Sequence, residues 1–166
     1  MNKKYAFRFY ILLAATLLWM AVIFMKSAET YQQQSLRPLL SQWFQGSGFL
    51  GSLPHWEFVY DQDTVTWQDP IGLIEFFIRK AGHVTEYGIL ALLCSLTLLA
   101  KPVRASKALV TSCLISVLYA ASDEWHQTFV PQRTGHAIDI AIDSIGILSA
   151  LLLVALIVWI KRRKRG

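Results

Sequence analysis

The chain has 166 residues, of which 54% are hydrophobic and only 16% charged. Soluble domains carry about 25% charged residues, so this chain has too few to coat a globular surface. Its net charge of +5 is also unevenly placed, with five of the sixteen Lys and Arg in the run Lys161, Arg162, Arg163, Lys164, Arg165. A basic run directly after an apolar stretch reads as a membrane helix stopping at the cytoplasmic face. A soluble enzyme, a secreted disulfide scaffold and a DNA-binding domain are disfavoured together.

Four apolar segments follow in chain order, and they predict an all-α polytopic membrane protein built as one bundle over 1–166. The first, residues 9–25, is uncharged and preceded by Lys3, Lys4 and Arg8. Seventeen residues rise about 25 Å, near the lower limit for a bilayer core. Lys26 occupies the place where a signal peptide would carry a small-residue cleavage site, so the segment reads as an uncleaved anchor. The remaining spans are read at 82–100, 108–121 and 138–160. With the N-terminus in the cytoplasm, the inside segments hold 11 of the 16 basic residues, and all eleven acids fall outside or near outer helix ends. That asymmetry predicts both termini in the cytoplasm of a cell membrane. Cys94 and Cys113 then lie deep in hydrocarbon, as small packing residues rather than a disulfide.

Residues 26–70 form the one long outer connection. Leu36, Leu39, Leu40, Trp43 and Phe44 follow helical spacing and predict an amphipathic helix, either capping the bundle or gating a lipid substrate. Trp56, Phe58 and Tyr60 alternate, and Asp61 to Asp63 offer a turn before Thr64 to Trp67, which suggests a short hairpin. Asp69-Pro70 predicts an N-cap and first helical position. The second long helix is therefore expected to start near Pro70 and continue to Ala100.

Polar residues gather where a membrane makes them expensive. Arg79, His83, Glu86, Tyr87 and Leu90 share one helical face, and Glu75 stands four residues before Arg79 as a pairing partner. The third span ends in Asp123-Glu124-Trp125-His126-Gln127, and Pro131 to Gly135 turn the chain through Arg133. His136, Asp139 and Asp143 follow at spacings of three and four, and Gly146 extends their stripe, permitting close helix approach. A lone aspartate at depth costs about 3 kcal/mol. The acids Glu86, Asp123, Glu124, Asp139 and Asp143 outnumber the bases Arg79, Lys80 and Arg133 by two. Protonated histidines, raised carboxyl pKa values or a divalent cation each balance the difference. A network that only fixes helix register is the alternative to a binding site.

The pattern Arg79-Lys80-x-x-His83-x-x-x-Tyr87, then Ser122-Asp123-Glu124-x-His126-Gln127-x-Phe129-x-Pro131-x-Arg133, then Asp139-x-x-x-Asp143-x-x-Gly146 resembles the VanZ-like family of bacterial integral membrane proteins. The resemblance covers most of residues 70–155 in order, with a weaker fit around Trp19 to Ser27. It implies a multi-pass membrane protein of the cell envelope. The family's name-giver is associated with resistance to the glycopeptide teicoplanin. The motif residues carry over as a candidate site without assigned catalytic roles.

Chemistry suggests roles for them. Arg79, Lys80 and Arg133 suit an anionic group such as phosphate or carboxylate. Asp123, Glu124, Asp139 and Asp143 orient those bases or bind a cation, and His83 and His126 carry protons. Glu86, Tyr87 and Gln127 complete the ligand-binding set. The leading expectation is a non-catalytic envelope protein that binds or shields a surface or lipid-linked component. The enzyme alternative is a hydrolase or transferase acting on a lipid-linked substrate. Its catalytic candidates are His83, Glu124, His126 and Arg133, with His126 or Glu124 as base and Arg133 stabilising negative charge. A small transporter comes third. No cofactor is predicted; a divalent metal is the subordinate alternative, with His83, Glu86, Asp123, His126, Asp139 and Asp143 as donors. Expected partners are the bilayer, an envelope or lipid-linked ligand, and anionic inner-leaflet lipid at the basic tail, with no nucleic acid.

Overall fold

The structure is a computed structural model that describes residues 3–61 and 63–164, Lys3 and Lys4 by backbone alone. Arg165, counted above in the terminal basic run, lies outside the described residues, as does the centre of the expected 61–63 turn. Four long helices dominate: α1 (Lys3–Ser27), α4 (Pro70–Leu99), α5 (Ala105–Gln127) and α6 (Ala137–Arg163). Between α1 and α4 lie the short helices α2 (Tyr31–Gln34) and α3 (Arg37–Phe44), a 3₁₀ turn (Gly48–Ser52), and the strands β1 (Glu57–Tyr60) and β2 (Asp63–Thr66).

All four long helices have the length and apolar composition to cross a membrane. At 1.5 Å per residue even the shortest, the 23-residue α5, spans about 35 Å, more than a hydrocarbon core of about 30 Å. Their outer faces are apolar too: Leu152 is 72% and Leu118 68% exposed. Side chains of this kind at helix midpoints are tolerated when the surrounding solvent is lipid. The chain is a polytopic membrane protein.

The helices extend beyond the apolar runs read from sequence. The 82–100 span is the lower part of a 30-residue helix that starts at Pro70, with Asp69 capping it by accepting the Gly72 amide at 3.0 Å. Around the 108–121 span, α5 runs from Ala105 and continues helically through the polar run to Gln127. Intrahelical hydrogen bonding outlasts the apolar pattern wherever a polar side chain finds a protein partner.

The central helix is α4, which packs against α6, α5 and α1. The core beneath the polar layer consists of Ile23, Tyr87, Leu90, Ala91, Cys94, Ala120, Ile147 and Leu151, with Cys113 packed against it. Both cysteines are free, as expected of packing residues. At one end of the bundle Lys101 sits over the Phe9 ring at 4.0 Å, tying the α4–α5 turn to the start of α1. Arg133 at the other end donates to the Ser27 carbonyl at 3.1 Å, closing the α5–α6 loop onto the end of α1.

The long connection folds onto that second end. Helix α3 forms within the expected segment and packs on α4, burying Leu40 but leaving Trp43 exposed. The hairpin pairs Phe58 with Val65 and Tyr60 with Asp63, and Asp61 adopts the left-handed conformation (φ 56°) its turn demands. Phe58 and Tyr60 project from the same side of β1 onto Phe76 of α4, with ring centroids 5.5 and 5.0 Å away. Aromatic packing thus carries the hairpin to the polar end of the bundle.

Candidate functional site

Two cavities open at this end, of about 500 and 330 Å³. Arg79, His83, Gln127 and Arg133 line both and form the wall between them. The larger is bounded by the hairpin and the first turns of α4 and α6, the smaller by the end of α1, α2 and α5.

On α4, Lys80 donates to Asp139 at 2.5 Å and stands 4.2 Å over the Tyr60 ring. Tyr60 also donates its hydroxyl to Asp139, and burial followed by this bond pushes the Tyr60 pKa up. Asp139 is thereby held from two elements. One turn above Lys80 in sequence, His83 places Nδ1 3.2 Å from Asp143, which is fully buried. Glu86 borders the smaller cavity, and its carbonyl accepts the Trp19 indole at 2.9 Å. Tyr87 departs from expectation: it belongs to the core, not to either cavity, because the α4 face that starts at Arg79 descends into the bundle by this depth.

The polar end of α5 sorts its residues by helical angle. Asp123, Glu124 and Gln127 are buried, and Gln127 donates to Asp123 at 3.1 Å and Glu124 at 3.3 Å. The Gln127 carbonyl oxygen accepts from Arg133 at 2.6 Å. Glu124 also receives the His136 amide at 3.0 Å. This approach depends on Gly135, where a Cβ would lie 2.1 Å from the Glu124 carbonyl oxygen.

His126 turns away from both cavities. Its ring packs on Phe24 of α1, 4.6 Å between centroids, and it lines neither cavity. Three residues beyond Asp123, it falls about 60° around the helix, facing α1. Ser122 and Ser144 donate to carbonyls of their own helices, those of Tyr119 and Ile140. Among the described residues, the one group of three or more His, Cys, Asp or Glu whose ligand atoms all lie within 4.8 Å of one another is His83, Glu124 and Asp139. His83 and Asp139 come from the expected donor set, and Glu124 from the acids expected to bind a cation.

Glu75 does not pair with Arg79. It accepts from Tyr31, Ser35 and the Leu36 amide, with Arg37 Nε at 3.4 Å. Arg79 instead lies 4.9 Å over the Tyr31 ring and donates to Gln34 at 3.3 Å, while its Nη1 has no hydrogen-bond partner among the described residues. Arg133 bonds backbone carbonyls and Gln127. Among the described residues no carboxylate lies within 4.0 Å of either guanidinium. Burial first, then the nearby Arg79 charge, pulls the Arg133 pKa down.

Sequence reading did not place Arg37 or Tyr60 at this end of the bundle and gave Glu75 a different partner. The aromatic alternation in the hairpin was a signal for Tyr60; Arg37 sits in a pattern with none. Arg37 also pairs with Asp69, holding that carboxyl below its ordinary range, with the Gly72 amide helping and burial opposing. A carboxyl lowered on folding stabilises the folded state above its unfolded pKa and loses that effect as pH falls through the folded value. Acidification below the usual carboxylate range is therefore expected to loosen the 28–69 segment, read as faster limited proteolysis there. Asp69→Asn should weaken that pH dependence.

Fold and cavities together define an all-α, multi-pass membrane protein with a polar cleft at one end of its bundle. The chain matches the family described as VanZ/LLP1 over residues 12–159, and it belongs to that family. No curated protein and no solved structure matches it.

Proposed function

We propose that the chain is a non-catalytic cell-membrane protein whose cleft faces outward and holds the anionic head of an envelope or lipid-linked component. The observation that carries this reading is the pair Arg79 and Arg133, two guanidiniums without carboxylate partners in the wall shared by both cavities. Guanidinium forks match phosphate and carboxylate oxygens, and half-buried positive charge favours a ligand that neutralises it. The outward orientation is supported by the basic residues clustered at the opposite end of the bundle, including Arg8, Lys101, Arg104, Lys107 and the run 161–164. That end also suits contact with anionic inner-leaflet lipid. A share in glycopeptide resistance of the teicoplanin kind is the biological form this reading takes from the family name.

The test is binding of a polyprenyl phosphate to purified protein in nanodiscs. Saturable binding is expected, with Arg79→Ala and Arg133→Ala each losing about 2 kcal/mol, or roughly 30-fold in affinity. Arg133→Lys should recover only part, since an ammonium lacks the planar fork. Failure of wild type to bind phosphate- or carboxylate-bearing lipids would end the proposal.

A further inference from the structure

We infer that His83, Glu124 and Asp139 form a binding site for one divalent first-row metal ion. The three belong to α4, α5 and α6, and their ligand atoms lie within 4.8 Å of one another. Glu124 and Asp139 are 4% exposed. One imidazole and two carboxylates form a mixed nitrogen and oxygen donor set suited to Zn²⁺ or Mn²⁺, with coordination positions left for water or an anion.

Asp143 supplies the second, independent observation. It is 0% exposed and places Oδ1 3.2 Å from Nδ1 of His83, while its Oδ2 has no hydrogen-bond partner. A carboxylate on one imidazole nitrogen orients the ring and leaves Nε2 to carry a lone pair, the arrangement that supports metal-bound histidines. Glu124 is positioned similarly, by the His136 amide at 3.0 Å and Gln127 at 3.3 Å. Charge points the same way. Among the described residues, Lys80, at 2.5 Å from Asp139, is the one Lys or Arg within 4.0 Å of Glu124, Asp139 or Asp143. With His83 neutral, a formal excess of two negative charges is left, which one divalent ion cancels. Lys80 is then the competitor of the ion for Asp139. The site does not depend on the anion-binding reading, because neither Arg79 nor Arg133 is a donor.

The experiment is equilibrium dialysis of chelator-stripped protein in detergent against Zn²⁺ or Mn²⁺ alone, in phosphate-free buffer, with bound metal counted per chain. One ion per wild-type chain is expected. His83→Ala and Asp139→Asn should weaken binding at least 100-fold, and Asp143→Asn 10- to 100-fold through ring orientation. Lys80→Met should tighten it at least tenfold, a gain that a purely structural role for these residues cannot produce and that remains informative if His83→Ala does not fold. Absence of stoichiometric metal in wild type, uptake that survives His83→Ala and Asp139→Asn, or no tightening in Lys80→Met would overturn the site. Arg79→Ala and Arg133→Ala should retain the ion, which separates this outcome from failure of the anion pocket.

Discussion

Gly146→Val is expected to separate α4 from α6 and to collapse the cleft between them. A Cβ at this position would stand 1.9 Å from the Val84 carbonyl oxygen and 3.1 Å from the Gly88 amide nitrogen. Both contacts are backbone, so no rotamer change relieves them and the helices themselves must move. Lipid gives apolar helices little reason to associate, so close approach at small residues supplies much of their attraction. Overpacking of this kind costs about 3 kcal/mol for alanine and more for valine. The effect reaches the site because Lys80 and His83 on α4 meet Asp139 and Asp143 on α6 just above this crossing. Denaturant titration in mixed micelles, followed by helical circular dichroism, measures it. A Gly146→Val protein as resistant as wild type would show that the two helices do not touch here.

Glu75→Ala should release the 28–69 segment while leaving the four long helices assembled. This carboxylate, 2% exposed, gathers the Tyr31 hydroxyl at 3.1 Å, the Ser35 hydroxyl at 3.1 Å and the Leu36 amide at 2.7 Å. Hydrogen bonds to a charged acceptor contribute about 1.5–3 kcal/mol each, and three at one group overlap in effect, so a loss of about 3 kcal/mol is expected. Arg37 keeps its second partner, Asp69, which limits the damage to this segment. Hydrogen exchange reads the result directly: protection at 31–37 should fall roughly 100-fold. Glu75→Gln should lie between, since its amide keeps one acceptor but presents a donor to donors. Undiminished protection in Glu75→Ala would mean that the segment is anchored elsewhere, through the hairpin aromatics on Phe76.

These two substitutions differ in how far they could be foreseen. Gly146 was visible as a small residue continuing the stripe of Asp139 and Asp143, and the structure places Val84 and Gly88 against it. The partners of Glu75 were not visible. Spacing along α4 nominated Arg79, yet the carboxylate turns to a loop about forty residues earlier in the chain. A pair at i and i+4 on a helix gains little, whereas unpaired hydroxyls and an amide from a folded-back loop gain much. The same contrast holds at the end of α5. A motif containing Asp123, Glu124, His126 and Gln127 reads as one cluster, but helical rotation sends His126 to Phe24 and the other three inward.

Membrane class, four crossings, the capped start of α4 and the polar level of the bundle all follow from composition and local order. Partition into lipid sums over neighbouring residues, and capping is decided within one turn. Which acid meets which base was settled by the assembled bundle alone. Helix crossing and rotation bring Asp139 to Lys80 and Asp143 to His83, and the path of the hairpin brings Tyr60 to Asp139. Those contacts join residues at least 59 positions apart. Their energies depend on burial and geometry that no stretch of chain possesses before it packs against the others.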